Sequence, residues 1–152
     1  MASIAGAFAN ACIVLQRVLE SGGKTWHYWM GGWEPPIGIE FALDPLNSIL
    51  AVVVTFISLM VSLYSRPFVK DEDWLHVGGY YTLFGLLTVG LSGMIITGDV
   101  FNLYVYLEIM SLSGYGLIAL GGRKVNAGSL PLPVNSVPIG ASLYLLGVGY
   151  LY

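Results

Sequence analysis

"LNSILAVVVTFISLMVSLY", residues 46–64, is an apolar run that contains no charged residue. Crossing the hydrocarbon of a bilayer takes about 20 residues of α-helix, so this run has the length of one membrane span. Asp44 and Pro45 stand directly before it, which is typical of a helix start because aspartate caps free N–H groups and proline suits the first turn. The stretch therefore predicts a transmembrane helix over residues 45–64.

The whole chain has the composition of an integral membrane protein. Of its 152 residues, 56% are hydrophobic and only 10% are charged, and the mean hydropathy is +0.75. A net charge of -3 argues against a nucleic-acid partner. We therefore expect an all-α, multi-pass protein of the cell membrane that forms a single membrane domain, residues 1–152. Its predicted helices, about five in number, cover approximately residues 2–20, 45–64, 79–97, 100–120 and 135–152.

A segment rich in glycine, proline and aromatic residues, approximately residues 26–43, separates the first two predicted spans. These residue types favour turns and extended chain, and tryptophan favours the membrane interface, so the segment predicts a short β-hairpin on the membrane surface. Its side follows from the distribution of lysine and arginine, which are more frequent in loops on the inner side of a membrane. Four lie in the predicted inner loops and two, Arg17 and Lys24, outside, which places the hairpin on the extracellular side.

Glu108 is an acid within an apolar segment, nine residues after Asp99. Nine helical residues span about 13 Å, which puts the carboxyl near the middle of the membrane, at a cost of roughly 2.5 to 3.5 kcal/mol. The residue is therefore a candidate for proton or sodium handling; the alternative is a protonated glutamate bonded to a neighbouring helix. Tyr104, Ser111 and Tyr115 fall on the same helical face and complete a predicted ion-translocation stripe, although the tyrosines could equally pack between helices.

The counter-charge of Glu108 is missing from its own helix, because every lysine and arginine falls in a predicted loop or at a helix end. Either the carboxyl is neutral, since desolvation disfavours the charged form, or another polypeptide supplies a cation. Asp99 is expected to cap the helix start near water and to offer a possible ion entrance. His76 is placed in a loop, where it could relay protons at the inner mouth, and His27 in a surface loop.

Metal and cofactor motifs are not recognisable in the sequence. Cys12 is the lone cysteine, and no Cys/His cluster has the spacing of a zinc, haem or iron–sulfur site. We accordingly expect no cofactor, no metal site and no catalytic residue, and no enzymatic activity of the chain by itself. Redox chemistry, where it occurs, belongs to another subunit.

Three strings, "GGWEPPIGIEFALDPLNS", "TGDVFNLYVYLEIMSLSGYGLIALGG" and "GASLYLLGVGYLY", resemble the antiporter-like membrane subunit of Mrp-type sodium/proton antiporters, respiratory complex I and membrane-bound hydrogenases. The resemblance runs from about Trp29 to Tyr152. It implies that Glu108 matches the glutamate of the family's fifth helix, which pairs with a lysine two helices later. That lysine, and the second helical repeat that follows in the family, have no counterpart here.

The resemblance thus implies a partial antiporter-like fold in a truncated subunit of a larger complex, either an ion-translocating oxidoreductase or an antiporter. Such a subunit would contribute half of a proton or sodium translocation module. The alternative is a non-conducting scaffold that packs against a full-length homologue. Expected partners are other membrane subunits, including that fuller homologue, protons or sodium ions, and lipid. Six glycines are expected to allow close packing against the homologue: Gly85, Gly90, Gly93, Gly140, Gly147 and Gly149.

Overall fold

The computed structural model describes residues 2–34, 38–69, 74–121 and 142–150 of the chain. Four of its helices are long and apolar enough to cross a membrane. They are α1 (Ala2–Glu20), α2 (Pro45–Tyr64), α4 (Trp74–Ile96) and α5 (Val100–Gly121), and a short helix, α3 (Arg66–Val69), follows α2. Residues 142–150 are also helical, whereas the preceding part of the fifth predicted span, 135–141, lies outside the described residues. The expected all-α, multi-pass membrane fold is confirmed, while the assignment to a single domain stays a prediction.

The start of α4 differs from the sequence prediction. The helix begins at Trp74 rather than at residue 79, and α3 occupies part of the polar segment for which the sequence predicts a loop. Hydropathy marks the part of a helix that lies in lipid, but a helix can continue beyond it into the headgroup layer, here through Gly78 and Gly79. The placement of His76 in a loop is therefore wrong, because this residue lies in the first turn of α4.

The predicted hairpin is confirmed. Strands β1 (Trp26–Trp29) and β2 (Glu40–Leu43) pair antiparallel, with His27 opposite Ala42. The placement of His27 in a loop is thus wrong: it lies within β1, because alternating aromatic residues suit a strand. The hairpin also contacts the loop between α4 and α5, where the Gly98 N–H donates to the Glu40 carbonyl at 2.8 Å. The side of the membrane on which it lies stays a prediction.

Helices α1 and α2 pack along a seam with a seven-residue repeat. The buried residues of α1 are Ile4, Ala11 and Val18, and those of α2 include Ser48, Thr55 and Ser62, so both sets recur every seventh position. This repeat keeps one face of each helix on its partner, as in a left-handed coiled coil. Small hydroxyl-bearing side chains let the backbones approach closely, whereas the larger apolar side chains of α2 face outward.

The N-terminus of α2 is capped as the sequence predicts. The Asp44 carboxylate accepts a hydrogen bond from the Asn47 N–H at 2.6 Å, and Pro45 occupies the first turn. The Asn47 amide in turn donates to the Ala42 carbonyl at 3.2 Å, which ties the helix start to β2. The cap therefore fixes the position of the hairpin relative to the second span.

Helices α4 and α5 form a close antiparallel pair through glycine. A Cβ added at Gly90 would lie 3.0 Å from the backbone nitrogen of Met110, and one at Gly93 would overlap the ring of Tyr106. These two glycines are covered by α5 of the same chain, so the expectation that they pack against another subunit is wrong. Gly85 has open space around it among the described residues. Sequence alone identifies small residues but does not tell which neighbour they meet.

Candidate functional site

The site is carried by α5, whose first turn is fixed by Asp99. The Asp99 carboxylate accepts from the N–H groups of Phe101 at 3.1 Å and Asn102 at 3.3 Å, so the predicted N-cap is confirmed. Asn102 is buried, and its amide donates to the Thr97 hydroxyl at 3.0 Å. The loop before α5 is thereby held against the helix start, which sets the position of the residues that follow.

Glu108 lies on the side of α5 that faces away from α4. The α4 side of the helix is marked by Tyr106, Met110 and Gly116, which meet Gly93, Gly90 and Leu83. At 100° per residue, Glu108 is rotated by about 200° from Tyr106, which is nearly opposite. Its side chain is half-buried. Helix α4 therefore does not cover the carboxyl, and a different neighbour must shield it from lipid.

The nearest described partner of this carboxyl is Tyr104, one turn earlier on α5. At this spacing along a helix its hydroxyl lies near the Glu108 carboxyl. The ring of Tyr104 stacks on Tyr144, with centroids 6.2 Å apart and planes 10° apart. The Tyr144 hydroxyl donates to the Val100 carbonyl at 3.2 Å, so the helical residues 142–150 lie over the Glu108 side of α5.

Tyr144 was missed as a site residue at the sequence level. It lies 44 positions from Val100, and no spacing rule for one helix connects the two. A signal was nevertheless present, because "SLYLLGVGY" places an aromatic residue with a polar tip in the segment that follows α5. A tyrosine hydroxyl within a membrane span needs a hydrogen-bond partner. That requirement could have identified Tyr144 from the sequence as a residue that contacts another helix.

The other two residues of the predicted ion-translocation stripe, Ser111 and Tyr115, are positioned differently from Tyr104. Ser111 is half-buried, and its hydroxyl donates to the Leu107 carbonyl at 2.8 Å, not to the carboxyl of Glu108. Such a bond to the preceding turn satisfies serine within its own helix. Tyr115 is half-buried on the same face. The structure thus joins Tyr104 to Glu108, whereas Ser111 and Tyr115 lie on that face without a described bond to the acid.

The two predicted entrance residues lie at opposite ends of the helix pair. Asp99 is about 13 Å from Glu108 along the helix axis. At the other end, Gly79 of α4 lies at the level of Leu120, so His76 is more than about 18 Å from the level of Glu108. The structure therefore does not bring these three groups together. Within the described residues, His76 Nδ1 is buried and has no hydrogen-bond partner.

A cavity of about 360 Å³ opens at the His76 end of α4. Its described lining consists of Arg66, Val69, Val77 and Tyr81, so it lies between α3 and the first two turns of α4. Val77 directly follows His76 in the chain. The cavity gives water a place at the start of α4.

Cations are far from the acid in the described part of the chain. Arg17 lies in the last turn of α1, Lys24 follows that helix, and Arg66 begins α3. Across residues 2–34, 38–69, 74–121 and 142–150, Glu108 forms no ion pair with lysine or arginine. The same residues contain no cluster of three or more histidine, cysteine, aspartate or glutamate side chains that could hold a metal ion.

Comparison with known proteins identifies relatives over the full chain. Residues 29–76 match the family model for the N-terminus of chain 5 of NADH-ubiquinone oxidoreductase, complex I. NADH-quinone oxidoreductase subunit N of Desulforudis audaxviator is 42% identical over 152 residues, which are 100% of this chain and 30% of the relative. A Na(+)/H(+) antiporter subunit of Bacillus subtilis is 37% identical over 141 residues, or 92% of this chain and 28% of the relative. The chain thus spans about 30% of the length of these relatives.

Solved structures give the same result. A chain of the membrane-bound sulfane sulfur reductase, an archaeal respiratory membrane complex, superposes with a TM-score of 0.78 at 28% identity, covering 98% of this chain and 30% of that one. A chain of the Mrp complex from Dietzia sp. DQ12-45-1b superposes with a TM-score of 0.65 at 27% identity. The match covers 77% of this chain and 21% of that one. Both are subunits of multisubunit membrane complexes.

Proposed function

We propose that this chain contributes half of a proton or sodium translocation module to a complex I-type or Mrp-type complex, because it is related over its full length to a complex I-type subunit and over 92% of its length to a Na(+)/H(+) antiporter subunit. The group that binds and releases the ion is the carboxyl of Glu108. Tyr104 is its hydroxyl partner, and Ser111 and Tyr115 extend the polar face of α5. Other membrane subunits, including a fuller antiporter-like homologue, complete the route.

The observation that carries this proposal is the position of Glu108. Counted from Asp99, the carboxyl lies about 13 Å along α5, which corresponds to mid-membrane depth. It faces away from α4 and pairs with no lysine or arginine among the described residues. An acid at this depth is retained only where protein or water solvates it, and such acids commonly mark ion routes. The face opposite α4 is therefore the side on which a partner subunit supplies the counter-charge.

The residues of α5 suggest how the acid changes state. Tyr104 lies one turn before Glu108 on α5, and the carboxyl of Glu108 can be either charged or neutral. The balance is altered when a cation on a neighbouring subunit approaches or withdraws. A proton is then released or taken up at the carboxyl oxygen. In this scheme Asp99 and His76 lie at the two ends of the route, His76 beside the cavity at the start of α4.

One observation favours the alternative of a non-conducting scaffold. The Ser111 hydroxyl is used within its own helix, where it donates to Leu107, so the polar stripe is only partly organised around the acid. In a scaffold, Glu108 would remain protonated and bonded throughout, and α5 would serve as a packing surface for the fuller homologue.

Replacement of Glu108 by glutamine separates the two functions. Glu108→Gln keeps the shape and can still bond to Tyr104, but it cannot take up and release a proton. The complex that contains the variant is reconstituted into vesicles, and ion movement is followed with a pH-sensitive dye with and without sodium. Translocation should fall by at least about tenfold while native electrophoresis shows an intact complex.

The matched control is Glu20→Gln, which makes the same substitution at the exposed end of α1. It should leave both translocation and assembly unchanged. Normal translocation by the Glu108→Gln complex would instead establish the scaffold function.

A further inference from the structure

A cavity of about 490 Å³ lies between the end of α1 and the start of the hairpin. Its described lining is Ser21, Lys24, Thr25, Trp26 and His27, which we name the headgroup cavity. The chain reverses direction here because Gly22 and Gly23 adopt φ of 75° and 76°, a conformation that other residues rarely adopt.

The headgroup cavity lies at the boundary of the membrane. Helix α1 has 19 residues and is therefore about 28 Å long, close to the roughly 30 Å thickness of the hydrocarbon. The residues directly after it are consequently at the depth of the lipid headgroups. Trp26 is held at this level, since its indole N–H donates to the Ser21 hydroxyl at 3.2 Å. That hydroxyl donates in turn to the Val18 carbonyl at 2.7 Å.

The charges around the cavity leave one cation uncompensated. His27 Nδ1 lies 2.5 Å from a carboxylate oxygen of Glu40, so any charge on the imidazole is balanced. Glu20 accepts a hydrogen bond from the Gln16 amide at 2.8 Å. Lys24 is exposed, and no carboxylate in the described part of the chain pairs with its ammonium group. The described lining of the cavity therefore contains the cation Lys24 and no carboxylate, which suits an anion.

Directly below the cavity, the surface of α1 is apolar and open. Leu19 is 57% exposed and Ile13 is 51% exposed, and both lie within the membrane span. A ligand that joins an anionic head to long apolar chains would contact both surfaces at once. From this combination we propose that the headgroup cavity binds the phosphate of an anionic phospholipid, with Lys24 as the cationic partner and the acyl chains along Leu19 and Ile13.

Fluorescence quenching can test the site in the full chain reconstituted into phosphatidylcholine nanodiscs. Trp29, Trp33 and Trp74 are replaced by phenylalanine, so that Trp26 is the remaining tryptophan of the chain. A fixed fraction of the lipid is then brominated, either as phosphatidylglycerol or as phosphatidylcholine. Brominated phosphatidylglycerol should quench Trp26 more strongly, because it is enriched at the cavity.

Variants of Lys24 test whether its charge causes the preference for phosphatidylglycerol. In Lys24→Gln the preference for phosphatidylglycerol should fall about fivefold, which corresponds to the loss of one basic residue near a charged lipid. Lys24→Arg should retain it, which also shows that the reconstituted fold is intact. Lys70→Gln, a change in the segment that precedes α4, is the matched control and should leave the preference unchanged.

Three outcomes would overturn the proposal. The first is equal quenching of Trp26 by the two brominated lipids, and the second is an unchanged preference in Lys24→Gln. The third is loss of the preference when millimolar inorganic phosphate is added, which would indicate a site for a free anion. A preference that survives phosphate and depends on the charge at Lys24 supports the lipid site.

Discussion

The rings of Tyr104 and Tyr144 stack with their centroids 6.2 Å apart and their planes 10° apart, which joins the first half of α5 to the helical residues 142–150. Tyr104 also lies one turn before Glu108, with its hydroxyl near the carboxyl. One side chain thus makes two contacts of different kinds: its ring fixes a neighbouring segment, and its hydroxyl meets the acid. Substitutions can remove these contacts separately.

Tyr104→Phe removes the hydroxyl and keeps the ring. We expect translocation by the complex to fall several-fold, because Glu108 loses the neighbouring hydroxyl that can donate to its charged form. Thermal stability should change little. Tyr144→Phe is the control, since it also loses a hydroxyl but one that donates to the Val100 carbonyl. Equal translocation by both variants would exclude a specific function of Tyr104.

Gly93→Ala should destabilise the α4–α5 pair. The added Cβ would overlap the ring of Tyr106, and enlarging a side chain in a packed interface typically costs about 1 to 3 kcal/mol. Reversible unfolding in mixed micelles measures this loss. Gly85→Ala is the matched control on the same helix, where nothing described lies within 4 Å, and it should be neutral or slightly stabilising. Comparable losses in both variants would contradict the close contact between Gly93 and Tyr106.

Much of the fold followed from local rules of the sequence. Apolar length indicated the spans, and Asp44 and Asp99 were recognisable as caps because each precedes a helix and offers a carboxylate to its first N–H groups. The position of Glu108 within α5 required only a count of residues. These features depend on neighbours within one turn or one span, which the sequence displays directly.

Features that depend on distant parts of the chain were not predictable. The contact of Tyr144 with α5 joins residues 44 positions apart, and the neighbour of Gly93 turned out to be α5 of the same chain. Ser111 had two acceptors within reach, the Leu107 carbonyl and the acid, and the choice depends on its rotamer. The helical start at Trp74 was missed because hydropathy reports the lipid-embedded part of a helix only.

Ser62→Ala should be neutral or stabilising. Ser62 is fully buried in the α1–α2 seam, and its hydroxyl has no hydrogen-bond partner among the described residues. A buried unpaired hydroxyl costs about 1 to 3 kcal/mol, and alanine removes that cost while leaving only a small space. Ser62→Leu, which enlarges the side chain at the same position, should be destabilising. Unfolding in mixed micelles distinguishes the two, and a clear loss of stability in Ser62→Ala would indicate that water or another group satisfies the hydroxyl.

Asp99 offers a way to separate capping from ion entry. Asp99→Ala removes the acceptor for two N–H groups of α5 and should cost about 1 kcal/mol of stability, whereas Asp99→Asn retains a capping oxygen and should cost little. Asparagine has no negative charge, however, so it no longer attracts a cation to the helix start. If Asp99 lies at an ion entrance, the Asn variant should be stable but slow in translocation, with the deficit reduced at high concentrations of the ion. An Asn variant with normal stability and normal translocation would restrict Asp99 to capping, and the entrance would then have to be sought elsewhere on the surface around α5.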